Sequence, residues 1–173
     1  MTVLVSDTSV LIDLERGDLL EAIFMLEYEF AVPDVLYRQE MRGAWGDRLV
    51  ELGLRVEEVS KTGVAKATRY RSERPTLSVP DSFGLALAEE RRWTLLTGDR
   101  DLRSLAETES VKCHGVLWLL DRMEEAGVPH IRRLFAGLQA ISRHPRCRLP
   151  RREITIRLER YESKAKSRRS GHG

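Results

Sequence analysis

Short apolar runs alternate with helically spaced apolar positions along most of this chain. The first run, Val3–Val5, is followed at once by the polar Ser6-Asp7-Thr8-Ser9, and apolar residues then return at helical spacing in Val10–Leu14. This pattern predicts a buried strand, an acidic residue at its end, and then a helix. Similar runs along the chain predict strands over residues 2–6, 30–32, 54–59, 93–97 and 111–113.

Apolar positions three or four residues apart predict helices between these strands. The clearest helix start is Ser78-Val79-Pro80-Asp81, where Ser78 and Asp81 have the spacing of a capping box and Pro80 falls in the first turn. The segment Gly43–Gly46 is predicted as a loop. Helices are predicted near residues 8–14, 19–26, 34–41, 61–73, 79–91, 102 onward, 115–126 and 131–141.

Strands that alternate with helices favour an α/β fold. We expect a mainly parallel sheet of four to five strands, with right-handed crossovers and helices on both faces. In such sheets ligands bind outside the carboxyl ends of the strands, where the strand order reverses. Asp7 and Asp99 each follow a predicted strand by one or two residues. The pattern therefore predicts that these two carboxylates share one edge of the sheet.

Composition is that of a single globular domain. With 173 residues, 42% of them hydrophobic and 32% charged, the chain can bury one good core. No apolar run approaches the roughly 18 to 20 residues of a membrane span. The chain begins directly with the acid-bearing strand, so we expect no secretory signal and a cytoplasmic location. Cys113 and Cys147 lie far apart, and we expect two reduced thiols rather than one disulfide.

The formal charge of +2 conceals an asymmetry along the chain. From Arg132 to the end there are thirteen Lys or Arg and three Glu, about +10 in formal charge, whereas residues 1–131 carry about −8. A basic C-terminal region beside an acidic body indicates a polyanion partner, an acidic protein partner, or the chain's own acidic face. Composition leaves all three open.

Four acidic residues stand where capping and catalysis are both possible. Asp7 and Asp99 precede helices, Asp81 completes the capping box, and Glu40 lies on a short helix. Capping explains each acid alone, but it gives no reason for several to share one end of a sheet. Carboxylates brought together raise one another's pKa unless a cation binds among them. Oxygen-only sites suit Mg²⁺ or Mn²⁺, and phosphodiester hydrolysis is the natural reaction of such a site.

These acids belong to four segments whose order and spacing resemble those of PIN-domain ribonucleases, most closely the VapC-type toxins of type II toxin–antitoxin systems. The similarity covers roughly residues 1–126. It implies a PIN-like three-layer α/β/α fold and a metal-dependent endoribonuclease. The matching segments are Val5–Ile12 (VSDTSVLI), Val32–Met41 (VPDVLYRQEM), Pro80–Ala88 (PDSFGLALA) and Leu96–Leu102 (LTGDRDL).

The resemblance implies an acidic pocket that binds Mg²⁺ or Mn²⁺ and hydrolyses single-stranded or looped RNA with activated water. An antitoxin protein and a second copy of the chain, forming a homodimer, are the implied partners besides RNA. The implied catalytic residues are Asp7, Glu40, Asp81 and Asp99, the implied metal ligands are Asp7, Asp81, Asp99 and Asp101, and the supporting hydroxyls are those of Thr8, Ser9 and Thr97.

Arginines accompany two of these acids. Arg38 and Arg42 flank Glu40, and Arg100 and Arg103 follow Asp99. They are candidates to hold RNA phosphates, with ordinary surface arginines as the alternative.

Two features set the chain apart from small toxins of this family. Some 45 residues follow the helix predicted at 115–126, and they carry the basic excess. Leu102 also stands where an aromatic residue is frequent, which we interpret as a packing change. We divide the chain into a PIN-like catalytic domain at 1–126, a basic C-terminal helical extension at 127–162 and a flexible basic tail at 163–173.

Two functions remain open at this point. The first is a metal-dependent endoribonuclease that acts as the toxin of a toxin–antitoxin pair. The alternative is a PIN-fold RNA-binding or interaction protein with weak or no nuclease activity. A phosphatase or receiver domain on a similar sheet is disfavoured, because Asp7-Thr8-Ser9 lacks the second aspartate of an Asp-x-Asp motif and no suitable lysine follows a later strand.

Overall fold

The chain forms two compact units. The computed structural model describes residues 2–170, with side chains described up to residue 167. One unit comprises residues 1–11 and 27–115, and the other comprises residues 12–26 and 116–173. We call them the sheet unit and the helical unit.

The sheet unit is built on five parallel strands. They are β1 (Thr2–Ser6), β2 (Tyr28–Pro33), β3 (Arg55–Glu57), β4 (Thr94–Leu96) and β5 (Cys113–His114), in the spatial order β3-β2-β1-β4-β5. Every pairing between neighbours is parallel. The chain thus builds outward from β1 in one direction and then in the other, so the strand order reverses between β1 and β4. The predicted α/β fold with a mainly parallel sheet of four to five strands is confirmed.

Ten α-helices connect or follow the strands within the described residues. The segment Tyr37–Met41 continues the third of them as a π-helical turn. The α-helices are α1 (Thr8–Arg16), α2 (Leu20–Ile23), α3 (Asp34–Leu36), α4 (Ala44–Glu51), α5 (Lys61–Glu73), α6 (Val79–Arg91), α7 (Arg100–Thr108), α8 (Val116–Ala126), α9 (Ile131–Arg143) and α10 (Arg151–Ser170).

Helix α6 supplies much of the core of the sheet unit. Leu85, Ala86, Leu87 and Ala88 are all fully buried, and the helix contacts β1, β2 and β4. Alanine adds little bulk, which lets the helix lie close on the sheet. The first turn of α6, which begins at Val79, is fixed by the same packing that buries the rest of the helix.

The helical unit is held by an apolar core and by ion pairs. Leu119, Leu120, Leu134 and Tyr161 are among its buried residues. Basic side chains of α10 pair with acids of α8. Arg157 binds Asp121 at 2.6 Å and Lys164 binds Glu124 at 2.6 Å, while Arg160 binds both acids. Part of the basic C-terminal region therefore pairs with the chain's own acidic residues, which was one of the three partners considered for it.

Some predicted elements differ from the structure, among them the helix predicted near 19–26, of which only Leu20–Ile23 is helical. The predicted loop at Gly43–Gly46 is wrong, because α4 begins at Ala44 and only Gly43, with φ 121°, has a backbone conformation that disfavours a helix. Helix α10 extends through residue 170, although low apolar content suggested a solvated tail from residue 163. Residues 171–173 of that predicted tail lie outside the described residues. The division into a catalytic domain, an extension and a tail stays a prediction.

Two simpler expectations can be compared directly. Cys113 and Cys147 are both free thiols, as predicted. Among helices of the described residues, none has the length and apolar character needed to cross a membrane.

Gly46 in α4 allows a close approach that no larger residue can make. A Cβ atom at this position would lie 2.2 Å from the carbonyl oxygen of Met41, at the end of the π-helical turn. We therefore expect Gly46→Ala to lower the free energy of unfolding by about 1 to 3 kcal/mol through overpacking. Urea denaturation followed by circular dichroism measures this change.

Gly84→Ala in α6 is the matched control. Its added Cβ would meet only Leu95 Cδ1, at an ordinary 3.9 Å. Because alanine favours a helix over glycine by about 1 kcal/mol, this variant should be neutral or more stable. Equal destabilisation by both substitutions would contradict the close approach at Gly46.

Candidate active site

The candidate site lies where the strand order reverses, at the carboxyl ends of β1 and β4. Asp7 directly follows β1, and its backbone N–H donates to the carbonyl of Leu96 in β4 at 3.0 Å. Thr97 directly follows β4, and its N–H donates to His114 O of β5 at 2.9 Å. The ends of the central strands are thereby joined at the position where open α/β sheets bind ligands.

Asp7 is a buried carboxylate that caps α1. Its side-chain oxygen Oδ1 accepts from Val10 N at 2.9 Å and from Ser9 Oγ at 2.9 Å. The residue is only 6% exposed. Capping and chemistry are compatible here, because the capping bonds use one oxygen of a group that has two. The cap fixes the direction of the carboxylate.

Burial raises the pKa of Asp7 from 3.8 to about 6. Hydrogen bonds from Thr97, Val10 and Ser9 act in the opposite direction, because they stabilise the carboxylate. The negative charge of Asp81 adds to the increase in this pKa. Desolvation dominates, so Asp7 is ionised near neutral pH at an energetic cost.

Asp99 is held by the turn that follows β4. Its N–H donates to Thr97 Oγ1 at 3.0 Å, and its Oδ1 accepts from Leu102 N at 2.8 Å, which caps α7. Arg103 donates from Nη2 to the carbonyl oxygen of Thr97 at 3.0 Å. The same threonine hydroxyl thus interacts with both Asp7 and Asp99.

Asp81 lies in the first turn of α6. Ser78 Oγ accepts from the Asp81 N–H at 3.1 Å and donates to Asp81 Oδ2 at 2.7 Å, so the predicted capping interaction between these residues is present. Partial burial raises the pKa of the Asp81 carboxyl. The Ser78 hydrogen bond lowers it, whereas the charges of Asp99 and Glu40 raise it further.

Glu40 extends from the π-helical turn at Tyr37–Met41. Its side chain is exposed, and Oε2 accepts a short hydrogen bond from Thr8 Oγ1 at the start of α1. A π-helical turn widens the helix locally, and such turns are frequent at functional sites. The hydroxyl of Thr8, the residue that follows Asp7, therefore orients the carboxylate of Glu40.

Asp81 links the four predicted catalytic residues. Its charge acts on Asp7, and the charges of Asp99 and Glu40 act on it. Asp101, the additional predicted metal ligand, is an exposed residue in the first turn of α7 and takes part in none of these described interactions. Asp7, Glu40, Asp81 and Asp99 are thus linked through their charges, and their catalytic and metal-binding roles stay a prediction.

The predicted RNA-binding arginines occupy different environments. Arg38, Arg42 and Arg100 are all exposed, and Arg38 pairs with Asp34 at 2.8 Å. Arg103 is half-buried and bonded to the backbone at Thr97, so it stabilises the turn that carries Asp99. Their binding of RNA stays a prediction.

The donor set suits a hard divalent cation by its chemistry. All four acids offer carboxylate oxygens, and their mutual repulsion is the charge pattern that a cation relieves. Among the described residues, however, no three His, Cys, Asp or Glu side chains are gathered closely enough to hold a metal ion. The acids interact through their charges without forming a closed coordination shell.

Three supporting features were missed by sequence reasoning. Ser78 was assigned only to a cap, although its hydroxyl also bonds the carboxylate of Asp81. Arg103 was considered only as a phosphate ligand. The π-helical turn that presents Glu40 has no distinctive sequence signal, and only a helix near residues 34–41 was predicted there.

The fold and site together define an α/β protein with an open parallel sheet and an acidic cluster at its switch point. A family model described as PIN domain matches residues 3–163, and the chain belongs to the PIN-domain family. The match extends past residue 126, to which the sequence resemblance was limited. PIN domains are typically nucleases and generally use divalent metals. A comparison with curated proteins finds no match to this chain.

The raised pKa of Asp7 predicts a pH-dependent gain in stability for Asp7→Asn. Because the folded pKa of about 6 exceeds the unfolded 3.8, Asp7 stabilises the protein below about pH 4 and loses that contribution as pH rises through 6. The amide carries no charge and still caps α1. At pH 8 without metal, the variant should exceed the parent in stability by up to about 3 kcal/mol.

Denaturant unfolding in EDTA at pH 4 and pH 8 measures this difference. Asp7→Ala is the control for capping, since it also loses the bond to Val10 N and should be about 1 kcal/mol less stable than Asp7→Asn at both pH values. A parent protein as stable as Asp7→Asn at pH 8 would contradict the cost assigned to the buried charge.

Proposed function

We propose that this PIN-domain protein is a metal-dependent endoribonuclease that hydrolyses phosphodiester bonds in single-stranded or looped RNA. The observation that carries the proposal is the buried Asp7 carboxylate at the switch point, with its raised pKa and its coupling to Asp81. A structural cap needs neither burial of the charge nor a second acid beside it. Perturbed carboxylates in such a position are typical of functional sites.

Asp7, Asp81, Asp99 and Glu40 would hold a divalent cation. When bound, Mg²⁺ or Mn²⁺ would lower the pKa of a coordinated water and neutralise charge that develops on the phosphodiester. The protein positions the acids through hydroxyls. Ser9 and Thr97 orient Asp7, Thr8 orients Glu40, and Ser78 orients Asp81.

The charge of Asp81 interacts repulsively with those of Asp7, Asp99 and Glu40. Protonation of one carboxylate or binding of a cation would remove this repulsion. We infer that near neutral pH the repulsion among these carboxylates is removed by cation binding. The exposed side chains of Glu40 and Asp99 leave the site open to a polymeric substrate.

A toxin role, with an antitoxin protein and a homodimer as its assemblies, is the biological setting that we propose for this activity. It rests on the resemblance of the four acidic segments to VapC-type toxins. Growth arrest on expression, relieved by coexpression of a small neighbouring open reading frame, is the expected behaviour of such a pair.

Cleavage of a structured RNA with an exposed loop tests the enzymatic proposal. We expect cutting with Mn²⁺ or Mg²⁺ and none in EDTA. Asp7→Asn and Asp99→Asn should each lower the cleavage rate by more than about 100-fold, since even outer-shell partners of metal sites are worth about 10- to 100-fold. Gel analysis of end-labelled RNA at high enzyme concentration measures these rates.

Asp18→Asn is the matched control, because it makes the same change at an exposed residue of the helical unit that pairs with Arg133. Its cleavage rate should equal that of the parent. Equal cutting by the Asp7 and Asp99 variants would point to a contaminating nuclease and contradict the site. RNA bound but left intact by the parent would favour the alternative, a PIN-fold RNA-binding protein.

A further inference from the structure

The helical unit carries a dense run of arginines between α9 and α10. Residues 143–152, which we call the arginine segment, contain five arginines and no acidic residue. All five side chains, those of Arg143, Arg146, Arg148, Arg151 and Arg152, are exposed. The segment therefore places about five positive charges in solvent within ten residues.

These arginines differ from most of the other basic residues described in the helical unit. Arg157 and Lys164 are neutralised by acids of α8, at 2.6 Å in each case, and Arg133 pairs with Asp18 at 3.0 Å. Among side chains described up to residue 167, none forms an ion pair with the arginine segment. The segment therefore holds five of the unpaired positive charges among these described side chains, within ten residues.

The backbone of the segment is ordered by local hydrogen bonds. His144 Nδ1 accepts from Arg146 N at 3.2 Å, and His144 O accepts from Cys147 N at 2.9 Å. Asp13 interacts electrostatically with His144, but its carboxylate is already paired with Arg16 at 2.9 Å. The arginines between the two helices therefore lie on a hydrogen-bonded turn, and the nearby acid Asp13 is paired with Arg16.

Two of the arginines stand where a helix disfavours positive charge. Arg151 and Arg152 open α10, a helix of 20 residues, beside the positive end of its dipole. Such placement is unfavourable by about 0.3 to 1 kcal/mol per charge at low salt. Glu153 in the same turn offsets part of this, but it is also bonded to Arg157. A polyanion that approaches this turn would offset the unfavourable positive charge at the start of α10.

We propose that the arginine segment binds the phosphate backbone of RNA, the substrate class of the proposed function, on which this inference rests. The segment contains no Phe, Tyr or Trp on which bases would stack. Its contacts are therefore to phosphates, independent of base sequence and strongly dependent on salt.

Arg146→Gln combined with Arg148→Gln tests this contact in the full-length chain. Binding is measured by fluorescence anisotropy with a labelled single-stranded RNA of about 20 nucleotides, over a range of salt concentrations. The Asp7→Asn background prevents cleavage. Loss of two phosphate contacts should weaken binding roughly 25-fold at about 0.1 M salt and reduce the slope of log K against log salt by about 1.4.

Arg69→Gln combined with Arg133→Gln is the control for net charge. It removes two equally positive side chains that are already paired, with Glu109 and with Asp18. Screening at this salt should limit its effect on RNA affinity to less than about threefold. Equal losses in the two double variants, or unchanged RNA affinity in the first, would overturn the proposal.

Binding of the same proteins to vesicles of phosphatidylcholine and phosphatidylserine is measured in parallel. A segment that binds membranes instead would lose vesicle binding on substitution and keep its RNA affinity, which would also overturn the proposal. The nuclease assignment is judged separately, by cleavage. A parent protein that binds RNA through the segment and cuts nothing would refute the proposed activity and leave this contact standing.

Discussion

The candidate site is arranged around one unfavourable interaction, the burial of the ionisable Asp7 carboxylate at the end of the central strand. Asp7 is 6% exposed, and desolvation raises its pKa to about 6 against the opposing effect of three hydrogen bonds. A group of this kind persists only where the surroundings over-determine its position. Here β1 and β4 hold its backbone, Val10 and Ser9 hold its side chain, and Thr97 joins it to the turn that carries Asp99.

The other three acids are progressively more exposed to solvent than Asp7. Asp81 is partly buried and interacts with all of the others, whereas Asp99 and Glu40 are exposed and are fixed by a cap and by the hydroxyl of Thr8. The buried end of this series is thus fixed by several hydrogen bonds, and its exposed end is accessible to solvent.

Much of the fold, and the position of two acids just after strands, could be predicted from the sequence. Val3–Val5 before Asp7 marked the strand and its end, and Ser78-x-x-Asp81 marked the helix start, because both signals are local. The helix over Ala44–Glu51 was missed, since Gly46 suggested a loop when it in fact permits close contact with Met41. The pairing of α10 with Asp121 and Glu124 was equally hidden, because residues 36 positions apart meet only through the tertiary fold.

Asp7 is a desolvated carboxylate, and we propose that a divalent cation offsets the cost of its buried charge. A carbon-13 NMR titration of the aspartate carboxyl carbons, assigned with Asp7→Asn and performed with and without Mg²⁺, tests it most directly. We predict that the Asp7 carboxyl titrates near pH 6 in EDTA and that saturating Mg²⁺ lowers its pKa by at least about 1 unit, because a nearby positive charge favours the ionised form. A carboxyl that titrates near pH 4 in EDTA and does not respond to Mg²⁺ would contradict the account.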